Sequence, residues 1–149
     1  MKTILILIIQ SAFLITINAQ PFAGGNGTKS NPYQITTPVQ LDSVRHYLDK
    51  SFILLNDIDL NIPPYNTAEG WNPIGNFNNP FSGNFNGNGF VLKNLFINKP
   101  TEIYIALFGC TDSSRIINLG LVNCNITGNG ISATLIGDSN YDTVFNCYS

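Results

Sequence analysis

Short apolar runs separated by clusters of Gly, Asn, Asp and Ser dominate the chain from residue 52 onward, a pattern typical of strands joined by tight turns. Residues 52–55 form a short apolar strand, and residues 56–61 alternate polar and apolar side chains as a half-buried strand does. No second amphipathic helix interrupts these runs, which disfavours an alternating βαβ sheet. The other predicted strands are residues 90–97, 103–108, 115–122, 131–136 and 143–147.

One amphipathic helix is predicted before the strands. Thr37 can cap it, Pro38 suits the first helical position, and Gln40 completes a capping box. The helix is predicted to end near Lys50. Its apolar face is formed by Leu41, Val44 and Leu48.

The strands repeat one another weakly. In a first match, the Leu-Phe-Gly of residues 107–109 recurs as Leu-Ile-Gly at residues 135–137, and Asn118 recurs as Asn146 at the same interval. A second match, at a shorter interval, aligns residues 92–97 with residues 116–121. Both intervals fall in the range of solenoid repeats. A repeat of this length cannot bury its apolar side alone, so the repeats are predicted to stack.

Asn at a recurring position is typical of a β-helix corner, because Asn tolerates left-handed dihedral angles and bonds nearby backbone. Stacked Asn side chains can also bond from coil to coil. The predicted fold is therefore all-β, a parallel β-helix with one N-terminal capping α-helix. A leucine-rich-repeat-like solenoid is the alternative, since L-x-x-L-x-L fits that consensus.

The N-terminus has the pattern of a secretory signal peptide. A positively charged start precedes an Ile- and Leu-rich run at residues 3–17, and the small residue Ala19 marks the expected cleavage point. Polar residues interrupt the run, which makes it a poor membrane-spanning helix. The predicted organisation is a signal peptide at residues 1–19, an N-terminal loop and capping helix at 20–50, and a β-solenoid at 51–149.

Composition agrees with an exported, turn-rich protein. Charged residues make up 11% of the chain against about 25% in typical domains. Lys and Arg total 7 and the net charge is −2, so no basic stripe exists to neutralise nucleic-acid phosphates. Three cysteines, an odd number, lack metal-ligand spacing, and we interpret them as small buried hydrophobic residues: Cys110, Cys124 and Cys147.

The Gly-rich segment NPFSGNFNGNGF, residues 79–90, superficially resembles a phosphate-binding loop. Such a loop must lead into a helix N-terminus, whereas strand-like residues follow this one. We interpret Phe81 and Phe85 as buried side chains, with Phe90 as a further candidate. The turn positions are Gly83, Gly87 and Gly89.

Candidate chemistry is sparse. Asp57, Asp59 and Asn61 share one side of a strand and could donate oxygens to calcium, but two carboxylates are few for a site of six to eight ligands. We therefore predict no metal and no cofactor. His46 is interpreted as a surface side chain.

No H-E-x-x-H or G-x-S-x-G motif is present. Asp112, Asp138 and Asp142 could in principle form a glycan-cleaving carboxylate pair, but loop Asp is usually a turn residue. We predict no catalytic residues and no enzymatic activity. Trp71, Tyr65 and Phe77 could stack on sugars, although burial of Trp71 is favoured.

Several segments together resemble secreted bacterial proteins that carry GLUG motifs. The resemblance covers nearly all of the chain after the leader, and the motifs are Gly24-Gly25-Asn26-Gly27-Thr28, Asn31-Pro32-Tyr33-Gln34-Ile35, Asn56-Asp57-Ile58-Asp59-Leu60, Gly70-Trp71-x-Pro73-Ile74-Gly75, Phe81-x-Gly83-x-Phe85-x-Gly87-x-Gly89 and Leu107-Phe108-Gly109. The resemblance implies a right-handed parallel β-solenoid with a helical cap, exported by Bacteroidetes-type bacteria. It assigns no catalytic residues.

Two features depart from that family. The second motif, residues 133–137, lacks the glycine that usually precedes the apolar pair, and the chain stops where relatives continue into further repeats. The solenoid is therefore expected to be truncated at its C-terminal end.

The expected function is that of a non-enzymatic module of an exported surface or adhesin-like protein, acting in binding or display. Expected partners are host or matrix glycans or proteins, with no nucleic acid and no membrane span after leader removal; the ligand-binding residues stay open. The alternatives are a β-helix polysaccharide lyase or hydrolase, and a nonfunctional N-terminal fragment of a larger surface protein.

Overall fold

The computed structural model describes residues 21–149, and the predicted signal peptide lies outside them. These residues wind into a parallel β-solenoid, in which every pair of named strands is parallel and comes from successive coils. A five-stranded sheet forms one side and three smaller sheets form the others. The predicted parallel β-helix is confirmed, and within residues 47–149 no helix follows a strand, whereas a leucine-rich repeat carries a helix or 3-10 turn in each repeat.

The five-stranded sheet has the order β1-β2-β4-β8-β12, the three-stranded sheet β3-β5-β9, and the two pairs are β6-β10 and β7-β11. The strands are β1 (Tyr33–Ile35), β2 (Ser51–Leu54), β3 (Ile58–Asp59), β4 (Asn84–Asn86), β5 (Val91–Lys93), β6 (Phe96–Asn98), β7 (Phe108–Asp112), β8 (Arg115–Ile117), β9 (Gly120–Val122), β10 (Asn125–Thr127), β11 (Ile136–Asn140) and β12 (Thr143–Phe145).

Corners cut the predicted strands into shorter pieces. Asn94 (φ 60°) splits the run 90–97 into β5 and β6, and Asn118 (φ 53°) splits 115–122 into β8 and β9. The run 103–108 is not a continuous strand, because Tyr104 has φ 59° and only an isolated bridge at Ile105 precedes β7, which begins at Phe108. Residues 131–135 likewise precede β11 rather than form it. Hydrophobicity alone does not show these corners, since a left-handed residue leaves the apolar pattern intact.

The capping helix is shorter than predicted. An α-helix spans Pro38–Ser43 and a 3-10 helix spans Val44–His46, so the element ends before Lys50. Thr37 caps it by accepting from the Gln40 backbone N–H at 3.3 Å. The Gln40 side chain, however, reaches back one residue further and accepts from the Thr36 backbone N–H. The capping box is therefore displaced by one position.

A column of apolar side chains runs through the core from coil to coil. Phe52, Phe85 and Ile116 lie in register on three adjacent strands, and Val144 follows on β12. The first three of these are at most 1% exposed. This register contradicts the second, shorter-interval match, which aligned Ile116 with Leu92, because Ile116 pairs with Phe85.

A second column of buried side chains, on β5 and β9, shows the sequence interval between equivalent positions of successive coils. Leu92 pairs with Leu121 across β5 and β9, so the coils are longer than the second match implied. The first match is confirmed, since Phe108 pairs with Ile136 across β7 and β11.

The predicted Asn ladder is present at one corner. Asn146 Nδ2 donates to Asn118 Oδ1 at 2.9 Å, and Asn118 Nδ2 donates to Asn86 Oδ1 at 3.2 Å. Asn118 and Asn146 both have φ 53°. The side chain thus serves two purposes, since Asn permits the left-handed backbone and also joins three successive coils.

Replacing Asn118 separates these two contributions. Asn118→Gly keeps the left-handed backbone but deletes the ladder, and we expect a loss of about 1 kcal/mol in the free energy of unfolding. Asn118→Ala also strains the backbone and should cost about 1 kcal/mol more. Urea unfolding of both variants measures the difference. Equal stabilities for the Gly and Ala variants would contradict the corner assignment.

The Gly-rich segment is a strand with its turns. Phe81 and Phe85 are fully buried, as predicted, and Phe90 packs half-buried against the core. The glycines lead into strand β5 rather than a helix, so the geometry of a phosphate loop is not present here. Across residues 21–149, no helix is long and apolar enough to cross a membrane.

Candidate functional site

The calcium candidates Asp57 and Asp59 both face outward, as their alternation predicts, but each is already bonded within the protein. Asp57 Oδ2 lies 2.8 Å from Lys93 Nζ, and Asp59 Oδ1 accepts from Asn94 Nδ2 at 2.8 Å. The hydrogen bond from Lys93 is the main cause that holds the pKa of the Asp57 carboxyl below its ordinary value. The hydrogen bond from Asn94 is the main cause of the lowered pKa of Asp59. In the described part of the chain, no group of three or more His, Cys, Asp or Glu side chains is placed to hold a metal.

Asp142 organises the corner between β11 and β12. Its carboxylate accepts from Thr111 Oγ1 at 2.5 Å, from the Ser114 backbone N–H at 2.6 Å and from Ser139 Oγ at 2.6 Å. Burial raises the pKa of Asp142, but these hydrogen bonds outweigh it and bring the pKa below the ordinary 3.8. Asp142 is thus a structural carboxylate that joins neighbouring coils.

Asp112 and Asp138 line one cavity of about 280 Å3 together with Phe77, while Asp142 does not line it. Asp112 Oδ1 accepts from Asn140 Nδ2 at 3.2 Å, which again links two coils. No Lys or Arg of the described chain lines this cavity. Two of the three sequence-predicted carboxylates, Asp112 and Asp138, therefore share one cavity, and no cation of the described chain lines it.

Acid should remove the contribution of Asp142 to stability. A carboxyl whose folded pKa is lowered stabilises the fold fully above the unfolded value of 3.8, and this stabilisation disappears as the pH falls through the folded pKa. We expect Asp142→Ala to lose about 2 kcal/mol in the free energy of unfolding at pH 7. The loss should shrink below pH 3.8, which urea melts across the pH range would measure. A pH-independent loss would contradict this role.

The remaining candidates divide between core and surface. Trp71 is fully buried, and its Nε1 donates to the Leu107 carbonyl at 3.2 Å. Tyr65 is also buried, with its ring centroid 5.5 Å from that of Trp71, whereas Phe77 is 74% exposed. His46 is exposed, as predicted. Trp71 therefore belongs to the core rather than to a sugar-binding platform.

The three thiols are free within the described residues. Cys110 is buried, and Cys124 and Cys147 pack half-buried against the core. Burial raises the pKa of the Cys110 and Cys124 thiols. This agrees with their interpretation as small hydrophobic residues.

The outer face of the five-stranded sheet carries a second cavity, also of about 280 Å3, which we call the sheet-face cavity. Strand alternation directs two rows of side chains outward, one residue per coil in each row. Its lining residues are Lys29, Pro32, Ser51, Phe52, Ile53, Asn84, Phe85, Asn86, Arg115 and Ile117.

The first row is polar. Ser51, Asn84, Arg115 and Thr143 lie in register on β2, β4, β8 and β12. Asn84 Nδ2 donates to Ser51 Oγ at 3.3 Å, which fixes the amide along the row. Asn84 is half-buried and Arg115 is exposed.

The second row alternates apolar and amide groups. Ile53, Asn86 and Ile117 lie in register, followed by Phe145, which is 67% exposed. Ile53 and Ile117 are half-buried although they point away from the core. The sheet face therefore offers hydrogen-bonding groups beside flat apolar surface.

A tight loop places Lys29 at one end of the sheet-face cavity. The Asn26 and Asn31 backbones close the loop at 3.0 Å, and the Ser51 backbone N–H donates to the Gly27 carbonyl at 2.9 Å. Gly27 is required here, because it has φ 78° and an added Cβ would lie 2.5 Å from the Tyr33 ring. The loop is thereby fixed beside the start of β2.

The charges at this site differ from those elsewhere in the molecule. All Lys and Arg residues except Lys2 lie within residues 21–149, and four of these six form ion pairs: Arg45, Lys50, Lys93 and Lys99. Among the described residues, Lys29 and Arg115 are the two without an acidic partner, and both line the sheet-face cavity. Within residues 21–149, no Asp or Glu lines it.

The sheet-face cavity is not evident from the amino-acid sequence. Lys29 and Arg115 lie far apart in the chain, one in the N-terminal loop and the other on β8. The side chains that lie beside Arg115 depend on the strand register, which the shorter-interval match assigned wrongly. The alternation of residues 84–86 was the available signal, because it placed two Asn side chains on the outer face of a strand.

Comparison with known proteins gives two relatives. A protein of Evansella cellulosilytica whose name describes a Gly-rich membrane protein is 43% identical over 131 residues, covering 84% of this chain and 15% of that protein. Halomucin of Haloquadratum walsbyi is 34% identical over 120 residues, covering 76% of this chain and 1% of halomucin. The chain thus spans a small part of the length of either relative. No protein-family model and no solved structure matches the chain.

Proposed function

We propose that the chain is a non-enzymatic module of an exported surface protein and binds extracellular partners through the side of its solenoid. The observation that carries this proposal is the cavity on the outer face of the five-stranded sheet. It is lined by polar side chains and by two cations, Lys29 and Arg115, that have no acidic partner in the described chain. The names of the two relatives, a Gly-rich membrane protein and halomucin, support a location at the cell surface.

The distribution of charge favours binding over cleavage by a lyase. A lyase that acts on an acidic polysaccharide needs cations that hold the substrate carboxylate close to the group that abstracts the proton. Here Asp112 and Asp138 line one cavity, whereas Lys29 and Arg115 line another. The chemistry of a lyase is therefore divided between two cavities.

The test combines binding with turnover. The secreted chain is run through native gels that contain individual polysaccharides, and the same mixtures are assayed for new reducing ends and unsaturated products. We expect retardation in at least one gel without product. Steady product formation that Asp138→Asn abolishes would overturn the proposal. A chain that is retarded by no polysaccharide and retained by no immobilised matrix protein would overturn it as well.

A further inference from the structure

We propose that the sheet-face cavity binds an acidic polysaccharide, with Lys29 and Arg115 contacting its carboxylate or sulfate groups. This inference rests on the proposed binding function and names its ligand class.

The charges that line the sheet-face cavity favour an anionic ligand. Lys29 and Arg115 are the two described cations without an acidic partner, and no carboxylate of the described chain lines the cavity between them. The Arg guanidinium can hold a carboxylate or sulfate through two parallel N–H donors, and the Lys ammonium acts as a point charge. An anionic ligand thus finds two charge partners here and no repulsion from the lining.

Uncharged polar side chains also line the sheet-face cavity. Asn84 Oδ1 can accept from sugar hydroxyls and Asn86 Nδ2 can donate to them, because the internal bonds of these amides use Asn84 Nδ2, which donates to buried Ser51, and Asn86 Oδ1, which accepts from Asn88 and Asn118. Successive strands of the sheet lie about 4.8 Å apart, so the polar groups recur at a fixed interval along the solenoid axis. A regular spacing of similar groups suits an extended polymer of similar units.

Apolar side chains beside these polar groups can pack against sugar rings. Ile53 and Ile117 present half-buried outward side chains, and Phe145 continues their row on the next strand with 67% of its surface exposed. Sugar rings have apolar C–H faces that cover such surfaces. Nucleic acid suits the site less well, because two cations neutralise few phosphates and the net charge of the chain is −2.

The experiment measures the affinity of the full secreted chain for alginate and for dextran sulfate by calorimetry, with neutral dextran and double-stranded DNA as comparisons. We expect binding to one or both acidic polysaccharides that weakens with salt, and much weaker binding to dextran and DNA. Arg115→Gln and Lys29→Gln should each weaken binding about tenfold, the effect of losing one charge-assisted hydrogen bond. Comparing the affinity for alginate, which carries carboxylates, with that for dextran sulfate shows whether the site prefers carboxylate or sulfate groups.

Two matched pairs of variants make the test specific. In the first pair, Lys29→Gln removes a cation of the sheet-face cavity, whereas Lys93→Gln removes a cation on β5, outside the cavity, and should leave the affinity unchanged. Asn84→Asp places a negative charge within the cavity and should abolish binding, whereas Asn78→Asp adds the same charge on an exposed turn and should not. Thermal melts confirm that each variant is folded.

The outcomes separate the two proposals. Binding to acidic polysaccharide that is unaffected by Arg115→Gln and Asn84→Asp would overturn the sheet-face site and leave the binding module standing. Preferential binding to neutral dextran or to DNA would overturn the ligand class. Absence of any polysaccharide or matrix-protein binding would overturn both proposals.

Discussion

Replacing Phe85 with alanine is expected to lower the free energy of unfolding by about 3–5 kcal/mol, the usual cost of emptying a large aromatic site. Phe85 is fully buried on β4, with ring centroids 6.3 Å from Phe52 and 5.5 Å from Phe108. It occupies the middle of the core column, so no solvent-facing element can move in to fill the space. Urea unfolding monitored by the fluorescence of buried Trp71 measures the change.

Phe77→Ala is the matched control, because Phe77 is 74% exposed and its truncation should alter stability by no more than about 0.5 kcal/mol. If the two variants were equally stable, the inward orientation of the Phe85 side chain on β4 would be wrong. The register of β2, β4 and β8 would then be wrong with it.

Adding a single methyl group at Gly87 should destabilise the fold by about 2–3 kcal/mol. A Cβ at this position would lie 2.4 Å from the Asn118 carbonyl oxygen and 2.6 Å from Leu119 Cα. Both atoms are backbone of the next coil, so no flexible side chain can relieve the contact. The Gly87 N–H also donates to the Ile117 carbonyl at 2.8 Å, which holds the two coils at this distance.

Gly89 supplies the control, because nothing lies within 4 Å of a Cβ added there and its φ of 83° is the sole constraint. Gly89→Asn should therefore be tolerated to within about 0.5 kcal/mol. Urea melts of Gly87→Ala and Gly89→Asn are compared directly. A larger loss at Gly89 than at Gly87 would refute the close coil-to-coil approach.

The fold was predictable from sequence because its periodic signals are local. The Asn repeats at residues 118 and 146 and the Leu-x-Gly pattern around Phe108 report corners and inward positions within a few residues. The register between distant coils was less accessible. Coil lengths differ, so Leu92 pairs with Leu121 and not with Ile116, although both candidates are equally apolar.

The candidate site was harder to predict for a related reason. Asp57 and Asp142 are candidate ligand or catalytic residues by residue type. Their carboxylates are bonded to partners distant in sequence, Lys93 and Thr111, so the sequence does not show that they are structural. What distinguishes Lys29 and Arg115 is the missing partner, and only the three-dimensional positions of all charges show that. Residue type alone cannot separate a paired cation from an unpaired one.

The spacing of the paired strands has a kinetic consequence. Partners on adjacent strands of the large sheet are a whole coil apart in sequence, since Phe52 pairs with Phe85, Phe85 with Ile116, and Ile116 with Val144. Because closure entropy grows only with the logarithm of loop length, each added coil meets nearly the same barrier. Contacts between residues close in sequence stabilise the chain little before two coils pair. This chain should therefore fold far more slowly than a helical bundle of equal length. Once one pair of coils has formed, the next coil docks on a finished template, and structure spreads along the axis coil by coil.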